Sequence, residues 1–376
     1  MAAFNVVICG AGVAGIEGLL RLRRLAGGRA SLTLVSPQDT FVYRPLAVLE
    51  PFASASVRRY PVQRIASDAE AAWVRDRLVA VDTPGRRLQT EGGGEISYDA
   101  LLLAVGAGQA SPYEHAKVFT DRDGGDTFRG ILHDLALGEV SSVAFVLSNW
   151  PVWPLPLYEL ALMTAERASK ISRPVQLTFI TPEGRPLKAF GQAAGDVITR
   201  LFVQAGIELH TGVLAQVPRA QLVTFGETQL EAQRIVTLPK VTGPALRGIA
   251  AGPGWFVPID EHCVVHDSDG RVFAAGDATD FVVKHGGIGA QQADTAAAGI
   301  AHLAGIGERP PALAPVIRST LLTGDRPLYL CARVVNGLGW RSEVYEEPPW
   351  PPDQKIVAEE LGPYLAGLNA VAGARS

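Results

Sequence analysis

The apolar positions of this chain fall into two kinds of run that alternate along it. Asn5-Val-Val-Ile-Cys9 is an unbroken stretch of strand formers, and the apolar residues after Gly15 recur at helical spacing. A short strand, Ser31–Ser36, comes next. The stretches Trp73–Asp82 and Arg87–Tyr98 predict two hairpin strands around Thr83-Pro84-Gly85, and Tyr98–Gly108 predicts a buried strand ending in glycines. The pattern then repeats as strand Ser142–Ser148, helix Leu157–Lys170, strand Gln176–Thr181, helix Gly195–Ala205 and strand Ile207–Thr211. Leu32-Thr-Leu-Val-Ser-Pro37 in the first half answers Leu177-Thr-Phe-Ile-Thr-Pro182 in the second. Two strand–helix–strand units with matching exits predict an α/β fold with two Rossmann-like domains. The expected boundaries are 1–108 and 233–320 for a discontinuous first domain, 109–232 for the second and 321–376 for a short C-terminal segment. That last segment is proline-rich, with a strand at Leu328–Val335 and an amphipathic helix over Lys355–Leu368.

Length and composition narrow the function classes. At 376 residues, 47% hydrophobic and 19% charged, the chain can bury a sizeable core, and a net charge of −4 gives no footprint for nucleic acid. The short basic runs Arg21–Arg24 and Arg58-Arg59 read as solvated surface. No uninterrupted apolar stretch is long enough to span a bilayer, and the run at Asn5–Cys9 leads into a glycine turn and not a cleavage site. Cys9, Cys263 and Cys331 are too few and too scattered for a disulfide framework, so a cytoplasmic location is expected. Peripheral membrane association and a homodimer stay open at this point.

The candidate chemistry begins at Gly10-Ala-Gly12-Val-Ala-Gly15, set between a strand and a helix. The first glycine permits the sharp turn, the second lets backbone approach a pyrophosphate, and the third lets helix and strand pack closely. The helix N-terminus then offers unpaired N–H groups to the phosphates. Where such a fold places a ribose-binding acid, at the end of the second strand, this chain has Ser36. The repeat's own turn is different: Asn149-Trp-Pro-Val-Trp153-Pro154-Leu-Pro-Leu-Tyr158-Glu159 keeps no glycine, and Thr181 stands at its strand-end position. Proline is comfortable in a first helical turn, so the helix is expected to survive while the phosphate cradle does not. Further on, Phe273-Ala-Ala-Gly276-Asp277 brings a carboxylate to the sheet edge where open α/β sheets hold ligands, and Lys284-His-Gly-Gly287 opens an alanine-rich helix. His262, His266 and the aspartates around Cys263 read as a polar surface turn, and no metal site is expected there.

With these motifs and Tyr98-Asp99-Ala-Leu-Leu-Leu-Ala104-Val-Gly106 in hand, the chain resembles the pyridine nucleotide-disulfide oxidoreductase superfamily. Phe41-x-Tyr43-x-Pro45-Leu46 and Trp153-Pro-Leu-Pro-Leu-Tyr158-Glu159 look most like its sulfide:quinone reductase and type II NADH dehydrogenase branch. The resemblance implies a non-covalent FAD held by Gly10, Gly12, Val13, Ala14, Gly15 and Ser36, with Val79 beside the adenine and Ala104 and Gly106 closing over the phosphates. It implies Gly276 and Asp277 at the ribityl chain, and Arg44 and Pro45 flanking the ring. Residues Lys284 to Gly289, with Lys284, Gly287 and Ile288 as the binding candidates, would then face the pyrimidine edge of the ring. It marks Glu159, Lys284 and Cys331 as candidates for catalysis. The departures limit it: the sulfur that sulfide oxidation needs before the Tyr-Glu helix is replaced by Trp153-Pro154, and no pair of cysteines has disulfide-cycle spacing. Three readings follow. The first is an FAD-dependent oxidoreductase exchanging two electrons with a small substrate that reaches the ring past Trp150, Trp153 and Tyr158. The second is an NAD(P)H dehydrogenase with a quinone-type acceptor, and the third a flavin-binding interaction protein without turnover.

Overall fold

The computed structural model describes residues 3–53, 57–120, 124–335, 338–351 and 355–373. Its first layer is a five-stranded parallel sheet in the order Val272–Ala274, Ala100–Leu103, Phe4–Cys9, Ala30–Val35, Ala72–Val74. Strands covered on both faces must be apolar throughout, and the middle of this sheet obeys: Val6 to Cys9 and Leu101 to Leu103 are all at most 2% exposed. The first helix, Val13–Ala26, packs along the long alanine-rich helix Gly286–Leu303. Small residues permit that approach, since a Cβ on Gly18 would meet Leu102 at 2.5 Å and Ala293 at 3.6 Å.

The second layer repeats the first. Its parallel sheet runs Lys117–Val118, Arg234–Thr237, Ser142–Val146, Gln176–Ile180, Ile207–His210, so that Ser142–Val146 lies between its successor and the returning strand, as Phe4–Cys9 does. The returning strand pairs inside this second sheet, which carries it past the expected break at residue 233. Two helices, Leu155–Lys170 and Gln192–Gln204, flank it.

The remainder departs from the sequence reading in three places. Ala72–Val74 joins the first sheet, while Leu78–Asp82, Arg87–Thr90 and Glu95–Ser97 form a separate three-stranded sheet. Val316–Leu321, expected in the first domain, pairs with Leu328–Val335 and Leu338–Tyr345, and this antiparallel sheet buries Ile317, Leu321 and Leu330 in the second layer's core. The last helix starts later than expected, at Leu361. Residues 355–360 form a non-helical strap across the first helix, because backbone N–H groups there find side-chain partners elsewhere in the fold. Among the described residues no helix is long and apolar enough to cross a membrane.

Candidate functional site

The glycine turn has the form a pyrophosphate needs. Gly10 holds φ +112°, and a Cβ there would lie 2.1 Å from the Ala104 carbonyl oxygen. A Cβ on Gly15 would lie 1.9 Å from the Gly10 carbonyl oxygen, so both positions exclude any side chain. Gly12 differs: it is exposed, and nothing lies within 4 Å of where its Cβ would point. Two glycines thus close the backbone on itself and the middle one leaves a bare surface beside a helix N-terminus. Ala14 and Gly276 meet across this turn, a Cβ on Gly276 lying 3.1 Å from that of Ala14, which brings Asp277 to the same sheet edge. Ser36 is a correction to the sequence reading. It is fully buried and its hydroxyl donates to the Gln38 carbonyl at 3.2 Å, so it offers no surface to a ribose.

The second turn is walled. Trp153 packs against Phe190 with ring centroids 5.5 Å apart and against His285 at 4.6 Å. Trp150 is 53% exposed beneath the Lys240 ammonium, and Val241 N–H donates to the Pro151 carbonyl. Tyr158 does not line an entrance: it is fully buried and stacks on Phe179 at 4.3 Å. Its hydroxyl donates to Glu183 Oε2 at 2.7 Å. Glu183 is the acid that the strand end was expected to lack, two residues beyond Thr181. Its carboxylate is taken inside the domain by Tyr158, Thr181 and the Lys188 N–H. Burial raises its pKa, against the lowering by these hydrogen bonds.

Between the two turns lies a buried polar cluster. Glu159, at the start of the second-turn helix, is fully buried and pairs with Lys355 at 2.7 Å. Leu322 N–H donates to the same carboxylate at 3.0 Å. Burial raises the Glu159 pKa and lowers that of Lys355, each opposed by the partner's charge. Lys355 and its neighbours come from the strap: Ile356 N–H donates to the Tyr43 hydroxyl, and the Ile356 side chain covers Gly286. The strap thus reaches the N-terminus of the long helix, where His285 precedes the first turn and packs on Trp153. Arg44 and Pro45 are part-buried in a short 3-10 segment after Tyr43.

The other sequence candidates spread out. Lys284 directs its ammonium at the Thr279 and Asp277 carbonyls and lies 3.6 Å from the Phe256 ring centroid, and burial lowers its pKa to about 8. Gly287 is buried at the first turn of the long helix, and Ile288 points into the second layer's core. Val79 lies in the separate three-stranded sheet, its carbonyl accepting from Arg247. Cys331 pairs with Arg318 and faces Glu343, on the side of its sheet opposite to Ser319, which reaches His285. Burial raises all three cysteines, Cys9 and Cys263 to about 12, so no thiolate is favoured. Asp260 accepts from the His262 and Val264 N–H groups as a turn, and no group of three or more metal-binding side chains gathers among the described residues. Lys355, Ser319 and Glu183 escaped the sequence reading. Only Glu183 left a local signal, as an acid just past a second-strand exit.

Comparison with known proteins agrees with this layout. Residues 4–129 match the family described as pyridine nucleotide-disulphide oxidoreductase. An NADH dehydrogenase-like protein of Mycobacterium tuberculosis is 32% identical over 114 residues, 29% of this chain and 28% of that one. The mitochondrial sulfide:quinone oxidoreductase of Mus musculus is 26% identical over 106 residues, 27% of this chain and 23% of that one. The chain thus spans less than a third of the length of these relatives. The solved sulfide:quinone oxidoreductase of Aquifex aeolicus superposes over 91% of this chain and 87% of its own, with a TM-score of 0.82 at 20% identity.

Proposed function

We propose that this chain, which resembles the pyridine nucleotide-disulphide oxidoreductases in sequence at its first domain and sulfide:quinone oxidoreductase in fold, is an FAD-dependent oxidoreductase. The observation that carries the reading is the contrast between its two turns. Gly12 leaves open space beside a helix N-terminus, whereas the matching place in the repeat is filled by Trp153 and its candidate ribose acid Glu183 is held inside by Tyr158. One dinucleotide site is kept and one is closed.

The residues present fit the cofactor. Gly10, Gly12 and Gly15 with Val13 and Ala14 would hold the pyrophosphate, Gly106 would lie near it, and Gly276 and Asp277 would hold the ribityl chain at the sheet edge. Bound FAD supplies reversible two-electron chemistry. The chain's part is to keep water out and to manage protons. Glu159 carries a proton more readily than an exposed carboxyl because burial disfavours its charge, and Lys355 holds it in place. A quinone-type acceptor, which takes protons with electrons, suits such a group. Neither Cys9, Cys263 nor Cys331 stands beside this cluster as a ready thiolate, so the reading does not include sulfide attack through cysteine sulfur.

Purified protein should be yellow and carry stoichiometric, releasable FAD. Under anaerobic mixing, a quinol or another small donor should bleach the flavin, and millimolar NADH or NADPH should not. Colourless protein that takes up no FAD overturns the reading. Bleaching by a nicotinamide would replace it with the dehydrogenase reading.

A further inference from the structure

Resting on the reading of Glu159 as the flavin's proton carrier, we propose that residues 355–360 are a strap that shuts Glu159 in, and that Asp294 is its latch. A neutral Asp294 leaves Arg21 to hold the strap down, and a charged Asp294 draws Arg21 away from it. The need for an opening comes from Glu159 itself. Its carboxylate is fully buried, with Oε1 taken by the Lys355 ammonium and the Leu322 N–H, and Oε2 by Lys355. A group enclosed in this way passes a proton to a substrate only when Lys355 moves off. Lys355 belongs to the strap, so the strap is the element that moves.

The far end of the strap is fastened by charge. Arg21 Nη1 lies 3.1 Å from both Glu359 Oε2 and Glu360 Oε1, and Arg24 also reaches Glu360. Glu17 accepts the Glu360 and Leu361 N–H groups where the strap runs into the last helix. Between this end and Lys355, the Ile356 N–H donates to the Tyr43 hydroxyl at 3.1 Å and the Ile356 side chain lies against Gly286. Local opening proceeds in contiguous units, so loosening the far end lowers the cost of freeing Lys355.

Asp294 stands beside that fastening on the long helix. Its Oδ1 and Arg21 Nε are both buried, lie 3.9 Å apart, and have no hydrogen-bond partner. Arg21 thus turns one nitrogen towards Asp294 without bonding it and gives another to the strap. The charged groups facing Asp294 are Glu17 and Arg21 from the first helix and Glu359 and Glu360 from the strap. Burial raises the pKa of both Glu17 and Asp294, but two N–H groups favour charge on Glu17, and Asp294 rises to about 8. Losing the Asp294 proton adds a negative charge to the cluster and sets Asp294 against Glu359 and Glu360 for Arg21. Asp294 is in this sense a positioning residue, acting on Glu159 through Arg21 and Lys355.

The test labels amines on the full chain loaded with FAD, using acetic anhydride and mass spectrometry at pH 7 and pH 9. Lys170, whose side chain is 62% exposed, is the internal reference for the reagent's own pH dependence. Labelling of Lys355 relative to Lys170 should rise about tenfold between the two pH values in wild type and stay within about twofold in Asp294→Asn. Glu360→Gln weakens the far end without touching Lys355 and should raise the ratio already at pH 7. Cys9, buried in the first sheet, should resist alkylation throughout, which separates strap opening from global unfolding. A ratio that does not rise in wild type, or that rises as much in Asp294→Asn, overturns the strap proposal and leaves the FAD reading standing. Protein that takes up no FAD overturns both.

Discussion

The Lys355 ammonium lies 2.7 Å from Glu159 Oε1 and 2.8 Å from Oε2, with both side chains cut off from water. The two residues are 196 positions apart, so the pair joins the second-turn helix to the C-terminal strap. A buried charge whose partner is removed is left desolvated and uncompensated, whereas losing both charges together is close to neutral.

Lys355→Met should therefore destabilise the protein by about 3–5 kcal/mol, and Glu159→Gln with Lys355→Met should recover most of that loss. Urea denaturation of the single and double variants measures both. Glu159→Gln alone should keep FAD and slow turnover by about a hundredfold, the usual size of a lost proton-transfer group. An unchanged rate would remove Glu159 from the chemistry.

The two outer glycines and the middle one should fail in different ways. Gly10→Ala puts a Cβ 2.1 Å from the Ala104 carbonyl oxygen at φ +112°, so it should lower the melting temperature and the yield of folded protein. Gly12→Val enters open space with an ordinary backbone, so the chain should fold normally. It should nonetheless lose FAD affinity by about a hundredfold or more, because the branched side chain takes the pyrophosphate's place. Thermal melts beside FAD titrations separate the two.

Asp294 predicts a pH dependence. It lies on the long helix, where burial, reinforced by Glu17 on the first helix and Glu359 and Glu360 on the strap, raises its pKa from 3.8 to about 8. Arg21, 3.9 Å away, is shared with Glu359 and Glu360. The folded protein thus holds this proton more tightly than the unfolded chain does. The stabilisation is complete below about pH 4 and is lost as pH rises through about 8. Asp294→Asn fixes the neutral form, so its melting temperature should exceed that of wild type above pH 8 and vary less between pH 5 and 9. A variant whose melting temperature tracks wild type at every pH would assign the dependence elsewhere.

Thiol labelling should be uneven. Cys9 and Cys263 are fully buried with pKa values raised to about 12, whereas Cys331 is part-exposed. Native protein at pH 8 should react with a disulfide reagent chiefly at Cys331, and Cys331→Ser should abolish that fast phase. The same variant should change the rate of flavin reduction by less than about twofold, since Cys331 faces Arg318 and Glu343 and not the Glu159 cluster.

The glycine turn, the repeated unit and the tryptophan-filled second turn were legible because each is written in consecutive residues whose spacing follows helix and strand periods. Asp277 was legible by its place at a strand end, and Glu159 only through the resemblance of its motif to the family's. Ser36 misled because a strand-end hydroxyl can turn inward as readily as outward, and Gln38 decides which. Tyr158 misled likewise, since aromatic residues next to an entrance and inside a core look alike in sequence. Lys355 and Ser319 stayed hidden because their partners are remote: Lys355 meets Glu159, and Ser319 meets His285 across 34 positions. Helical periodicity over Lys355–Leu368 also gave no hint that its first residues leave the helix to cross the fold.

Glu17, fully buried on the first helix, accepts the Glu360 N–H at 2.9 Å and the Leu361 N–H at 2.6 Å. Its carboxylate thereby caps the last helix from more than three hundred residues upstream, with Arg21 and Arg24 holding Glu360 beside it. These two hydrogen bonds can form only after the chain has been made through residue 361, so the first helix gains its C-terminal partner long after its own synthesis.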